Sequence, residues 1–124
     1  MKKIMLLSGL LLLSPLSYAG ADEPIEIYSA RLSADDHTNS DGKKLTAVAD
    51  IIRQDRANFH KFNLRDNDDT ADSFFEDAKH RERIPTMLKK GSIDKATAKS
   101  ILNGTPLVTV TIYAKYIEVS LLHE

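Results

Sequence analysis

Residues 25–32 alternate two by two: Ile25, Ile27 and Ser29 against Glu26, Tyr28, Ala30 and Leu32. A period of two predicts a strand with both faces partly covered. The same period returns at the end of the chain. Val108, Val110 and Ile112 share one face of a segment over 107–113, and Ile117, Val119 and Leu121 share one face over 116–122. Ala114-Lys115 between them is a poor type I′ turn pair, so either a tight hairpin or a longer loop that includes Tyr113 and Tyr116 joins the two. A lone first strand has no partner of its own. It must pair with one member of the terminal hairpin, which fixes a small antiparallel sheet built from both ends of the domain.

What lies between is helical or loop. Residues 33–44 hold turn formers and almost nothing apolar, and predict a loop. Over 45–62, Leu45, Val48, Ile52 and Phe59 follow helical spacing, flanked by Ile51 and Phe62. Arg53, Gln54, Asp55, Arg56, Asn58, His60 and Lys61 fill the polar side. Position 55 or 56 must lie close to the apolar stripe, and a charge there needs a partner or an exit to water. A second helical region begins near Asp72, with Phe74, Phe75 and Ala78 inward. Pro85 kinks it or starts a new helix, carrying Ile84, Met87 and Leu88, and Gly91 is placed to end it. Ser92 or Asp94 caps a short last helix that Asn103-Gly104 closes. The expected fold is α+β: an N-terminal strand and a C-terminal hairpin in one antiparallel sheet, with about three helices on one face.

The first residues read differently. Lys2 and Lys3 precede an apolar run over 4–13, Ser14-Pro15 breaks it, and small residues offer cleavage after Ala19 or Ala21. This predicts a secretory signal peptide over 1–21 and a single periplasmic domain over 22–124. The run is too short to span a bilayer of about 30 Å, so no stable membrane anchor is expected after cleavage. Removing the leader leaves 103 residues with 15 basic and 18 acidic side chains and no cysteine. Thiol chemistry and Cys-ligated metals are therefore excluded, and the core must hold without disulfides. The mild negative charge argues against nucleic acid, whose binding leans on Lys and Arg.

Four groups of residues bear on chemistry. Asp66, Asp68 and Asp72, with Thr70 between them, fall on the oxygen-ligand positions of an EF-hand frame. Ala71 stands where that frame needs Gly, and Asp77 where it needs Glu. The choice is between a Ca²⁺ loop and an acidic entry to a helix; no other cofactor is expected. His37, His60, His80 and His123 form no H-x-x-x-H pair, and His37 ranks first because Asp35 and Asp36 precede it in a loop. There is no G-x-S-x-G, H-E-x-x-H or Gly-rich phosphate loop, so an enzyme is not expected. Arg53, Arg56 and His60 mark a helix face suited to a partner's carboxylates, or else pair with the 66–72 loop.

The segment 45–75, with Ile52-Arg53-Gln54-Asp55-Arg56-Ala57-Asn58-Phe59-His60 at its centre, resembles a segment of small exported Gram-negative proteins of unassigned role. The layout of a leader followed by a Cys-free α+β domain is similar to that of periplasmic type VI secretion immunity proteins. That similarity implies a non-enzymatic inhibitor which binds and blocks a peptidoglycan-degrading hydrolase. Asp35, Asp36, His37, Arg53, Arg56 and His60 are the expected contacts, and self-association through an edge of the terminal hairpin is a second expected interaction. The alternative is a small divalent-cation-binding envelope protein that uses the 66–72 loop.

Overall fold

The computed structural model describes residues 22–123; the expected leader lies outside them. The elements are β1 (Glu26–Arg31), a 3-10 turn (Ala34–His37), α1 (Val48–His60), a second 3-10 turn (Phe74–Glu76), α2 (Ala78–Glu82), α3 (Ile84–Lys90), β2 (Ser92–Ile93), α4 (Lys95–Asn103), β3 (Leu107–Ile112) and β4 (Ile117–Leu121). The class is α+β, as the periodicities predict. Among the described residues no helix is long and apolar enough to cross a membrane.

The sheet runs in the order β1-β3-β4-β2. β1 pairs antiparallel with β3, and β3 with β4. The register sets Tyr28 opposite Val110, Ala30 opposite Val108, Val110 opposite Val119 and Ile112 opposite Ile117. These residues are buried and meet Ile51 and Ile52 of α1, Phe75, Ile84 and Met87 of α3, and Ile101 of α4. Ile27, at 60% exposure, and the exposed Glu118 and Ser120 stand on the opposite side of the strands. One face of the sheet thus carries the core.

The link between β3 and β4 is the longer of the two expected. Tyr113 N–H donates to the Tyr116 carbonyl at 2.9 Å, and the two rings stack with centroids 4.4 Å apart. The tyrosine pair does the closing that Ala114-Lys115 is ill suited to do.

β2 departs from the sequence expectation. Two residues carry no readable period, and Ser92 reads as a helix cap. The structure instead lays Ser92 and Ile93 parallel to Glu118 and Val119 of β4, and Asp94 caps α4 by accepting from Thr97 N–H at 2.7 Å. Gly91 is required here for space. Its φ of −100° is open to any residue, but a Cβ at this position would lie 1.7 Å from the Ile117 carbonyl oxygen. With β3 central and β2 beside β4, the hairpin is not the rim of the sheet. Two residues of β2 thus stand along part of the outer side of β4.

The outer side of β1 is covered by the polar 63–73 connection. Thr70 N–H donates to the Ser29 carbonyl at 2.9 Å, and Ser29 N–H donates to Thr70 Oγ1 at 2.8 Å. Arg31 N–H donates to Asp69 Oδ1 at 2.9 Å. Further along, the Glu26 carboxylate accepts the backbone N–H groups of Ser73 and Phe74.

Candidate functional site

The strongest concentration of charge sits inside the molecule, where α1 meets the 3-10 turn at 34–37 and the 63–73 connection. Arg56 is at its centre and has no solvent exposure. Its Nε donates to Asp55 Oδ2 at 2.9 Å; Nη1 donates to Asp72 Oδ1 at 2.8 Å and to the Thr70 carbonyl at 3.2 Å. Its guanidinium lies between aromatic rings, 3.9 Å from the centroid of Tyr28 and 4.5 Å from that of Phe59. Planar, forked Arg suits such a sandwich better than Lys would. Burial disfavours its charge, but Tyr28, Asp55 and Asp72 more than offset that and hold it more basic than usual. Burial pushes the Tyr28 phenol up, against the lowering effect of Arg56.

Asp72 completes this side. Its Oδ1 also meets His60 Nε2 at 2.9 Å, and its Oδ2 accepts Phe75 N–H at 2.6 Å. One buried carboxylate thereby holds the end of α1 and the start of the second 3-10 turn together.

Asp36 and Asp55 form the other side. Asp36 is buried, accepting from Ser33 N–H at 3.0 Å and Asn58 Nδ2 at 2.9 Å. The buried Asp55 carboxyl of α1 is close enough for the two acids to influence each other. Burial, more than the nearby Asp69 charge, pushes Asp36 up to about 6 despite its hydrogen bonds. Burial also raises Asp55 well above the carboxylate range, against the pull of Arg56.

The expected contact residues therefore separate. Arg56 and Asp36 are corrected from surface contacts to interior groups: Asp36 is enclosed by its donors, and Arg56 by two carboxylates and two rings, with its Nη2 buried and without a hydrogen-bond partner among the described residues. The His60 side chain is 6% exposed and engaged with Asp72. His37 has both ring nitrogens against backbone carbonyls: Nδ1 is 2.7 Å from Ser33 O and Nε2 is 2.8 Å from Ile101 O. Arg53 remains half-open and donates to Asp50 at 3.1 Å. Asp35 remains exposed.

The three aspartates nominated for a cation do not share a centre. Asp66 Oδ2 accepts from Ser33 Oγ at 2.9 Å, and Asp68 pairs with Arg31 at 2.9 Å. Asp72 is held by Arg56 and His60. Among the described residues no group of three or more His, Asp or Glu side chains converges to hold a metal ion. Of the two readings of the Arg-bearing helix, pairing with the 66–72 loop describes Arg56; the pair is buried where a solvated one was expected.

Tyr28, Ser33 and Asp69 belong to the assembly without a sequence signal for it: Tyr28 reads as a strand residue, and the other two read as loop polars. Asn58-His60 and Asp36-His37 read as candidate contributors to one composite site, and Asn58 does reach Asp36. Only the crowding of a charge against the apolar stripe at 55–56 signalled an interior site.

Beside this network lies an open hollow of about 380 Å³, lined by Asp35, Asn39, Gln54, Asn58, Phe62 and Leu64 among others. Phe62 and Leu64 are exposed at its margin. Gln54 Nε2 donates to Asn58 Oδ1 at 2.9 Å, and Asn58 Nδ2 donates to the Asp35 carbonyl at 3.1 Å. The floor of the hollow is thus tied to the buried network through Asn58.

No family model, no curated protein and no solved structure matches this chain.

Proposed function

We propose that this chain is a non-catalytic interaction protein of the periplasm that binds and blocks a peptidoglycan-degrading hydrolase. One observation carries the reading: the central acids and bases are engaged with one another, and that engagement holds the 33–44 and 63–73 segments around the 380 Å³ hollow. A binding surface fixed before its partner arrives loses less freedom on association. The hollow offers the exposed apolar groups Phe62 and Leu64 beside the Asp35 carboxylate. An apolar anchor next to a charge suits a protruding loop of a folded partner.

The test is inhibition. The immobilised protein is used to capture hydrolases from envelope extracts, and each is assayed on isolated peptidoglycan sacculi with and without the free protein. The expected result is stoichiometric loss of digestion, relieved by Leu64→Asp or Asp35→Lys at unchanged melting temperature. Undiminished digestion by every captured hydrolase would sink the proposal.

A further inference from the structure

A second, smaller hollow of about 180 Å³ opens where Ser33 and the 34–37 turn face the first residues of the 63–73 connection. Its polar lining comes from Ser33, Asp35 and Asp36 on one side and from Asn63, Arg65 and Asp66 on the other. The two sides are tied together and held from behind. Ser33 Oγ donates to Asp66 Oδ2 at 2.9 Å, and Leu64 N–H donates to the Asn58 carbonyl at 2.8 Å. Asn63 turns the chain at φ 56°, in the left-handed region that Asn tolerates better than most residues. Asp36 is a buried member of the lining, already engaged by Ser33 N–H and Asn58 Nδ2.

Arg65 is exposed, yet it is held at two points. Its Nε donates to the Phe59 carbonyl at 3.0 Å, and its guanidinium lies 4.0 Å from the centroid of the Phe59 ring. Neither contact uses Nη1 or Nη2, and among the described residues no carboxylate pairs with them. A guanidinium fixed by its inner edge and one face keeps the forked pair of donors that suits a carboxylate. The Asp35 carboxylate, the Asn63 amide and Asp66 Oδ1 are likewise without a hydrogen-bond partner among the described residues.

The charge of the lining narrows the ligand. A simple anion meets Arg65 but also Asp35 and Asp66, and a simple cation meets the two acids but also Arg65. A ligand that bears both charges on neighbouring atoms satisfies the whole set. The volume sets its size. At about 30 Å³ for each water the hollow holds about six, the scale of an ammonium, a carboxylate and the carbon between them. Asp35 and Leu64 line this hollow and the 380 Å³ one alike. A group attached to that carbon therefore has a way past Leu64 toward Phe62.

We propose that the smaller hollow is a binding site for the zwitterionic head of an α-amino acid. Arg65 takes the carboxylate through Nη1 and Nη2, and Asp35 and Asp66 take the ammonium. The side chain of the bound head leaves past Leu64 into the larger hollow. The same head occurs in a free amino acid and at the end of the side chain of a diamino dicarboxylic acid within a peptide. Binding here needs no hydrolase, so it stands or falls apart from the inhibition proposed above.

Amide ¹H–¹⁵N spectra of the folded protein, titrated at neutral pH with alanine and with a tripeptide that contains diaminopimelate, test the site. Saturable shifts at Ser33, Leu64, Arg65 and Asp66 are expected at millimolar probe, with Val110 and Val119 unmoved. Binding of alanine assigns the site to free amino acids; binding of the tripeptide alone assigns it to heads carried by a peptide. The same head with its amine acetylated or its carboxylate amidated keeps one charge and should bind at least about tenfold more weakly. Arg65→Gln should weaken binding of the intact head by a similar factor. Absence of a saturable shift at these residues with both probes overturns the proposal. So does a blocked head that binds as tightly as the zwitterion, or an Arg65→Gln protein that binds like wild type. The blocked heads are titrated into wild-type protein, so they decide the matter even where the variant does not fold.

Discussion

Arg56 lies over the ring of Tyr28, 3.9 Å from guanidinium carbon to ring centroid, and neither side chain reaches solvent to more than 1%. This contact joins the middle of α1 to the middle of β1. It explains how a charged residue can stand in a helix that packs on a sheet. The aromatic face receives the flat cation, while Asp55 and Asp72 take its edge. The cost of burying the charge is offset only while all of these partners are present.

Removing Arg56 should therefore be far worse than removing a surface arginine. Arg56→Ala leaves Asp55 and Asp72 buried without their cation and is expected to cost about 3–5 kcal/mol of stability. Arg53→Ala breaks only an exposed pair with Asp50 and should cost about 0–1 kcal/mol. Urea unfolding of the two variants measures the contrast. Equal losses would mean that the network contributes nothing beyond an ordinary ion pair.

Gly91→Ala should be among the most damaging single-methyl changes in the domain. The added carbon meets the backbone of Ile117, which cannot rotate aside as a side chain can. Forced separation of β2 from β4 is expected to cost about 1–3 kcal/mol or more. Gly42→Ala, where nothing stands within 4 Å but φ is +80°, tests strain without a clash. It should cost about 1 kcal/mol. Thermal melts that rank the pair in the reverse order would contradict the close approach at Gly91.

The Asp36 carboxyl gives stability a definite pH direction. Its folded value of about 6 lies above the ordinary 3.8, so folding favours the protonated form. Its contribution is complete below the ordinary value and is lost as pH rises through about 6. Asp36→Asn removes this titration. Wild-type stability should thus fall relative to Asp36→Asn between pH 4 and pH 7, by about 1 kcal/mol or more, which corresponds to several degrees in melting temperature. A difference between the two proteins that stays constant across that range would contradict the burial of this acid.

Calcium should have little to act on. To chelate it, Asp68 would have to leave Arg31 and Asp72 would have to leave Arg56 and His60. Millimolar Ca²⁺ is expected to shift the melting temperature by less than about 1 °C. A rise of several degrees would show that the 66–72 loop rearranges around the ion.

The sheet and the main helix were legible because repetition marks them. Val108, Val110 and Ile112 repeat every two residues, and Val48, Ile52 and Phe59 recur at helical spacing within α1, although the expected start at Leu45 is too early: Leu45 lies outside the helix and bonds to His37 instead. Each pattern is long enough to outweigh its exceptions. β2 escaped because Ser92-Ile93 contains no repeat; its existence depends on a missing side chain at Gly91 and a carbonyl 26 residues away. The charged interior was half legible. The apolar stripe at 51–52 and 59 forces position 55 or 56 inward, but no local rule says that the partners come from residues 36 and 72. Asp36 read as a loop acid because its burial arises only when Asn58 and Asp55 close over it. His37 drew attention for its carboxylate neighbours, yet its ring bonds to backbone, which a sequence does not display.

The way Thr70 and Asp69 attach to β1 has a consequence at the scale of many molecules. The backbone groups of Ser29 and Arg31 that would recruit a strand from another copy are already bonded to this chain's own loop. At the far side of the sheet the last strand is only two residues long. Ribbon growth needs a long, flat, unsatisfied margin on which the next chain can lay its full length. Here one margin is occupied at Ser29 and Arg31 by the chain's own loop and the other is two residues long, which leaves a short run on either for another chain to pair along.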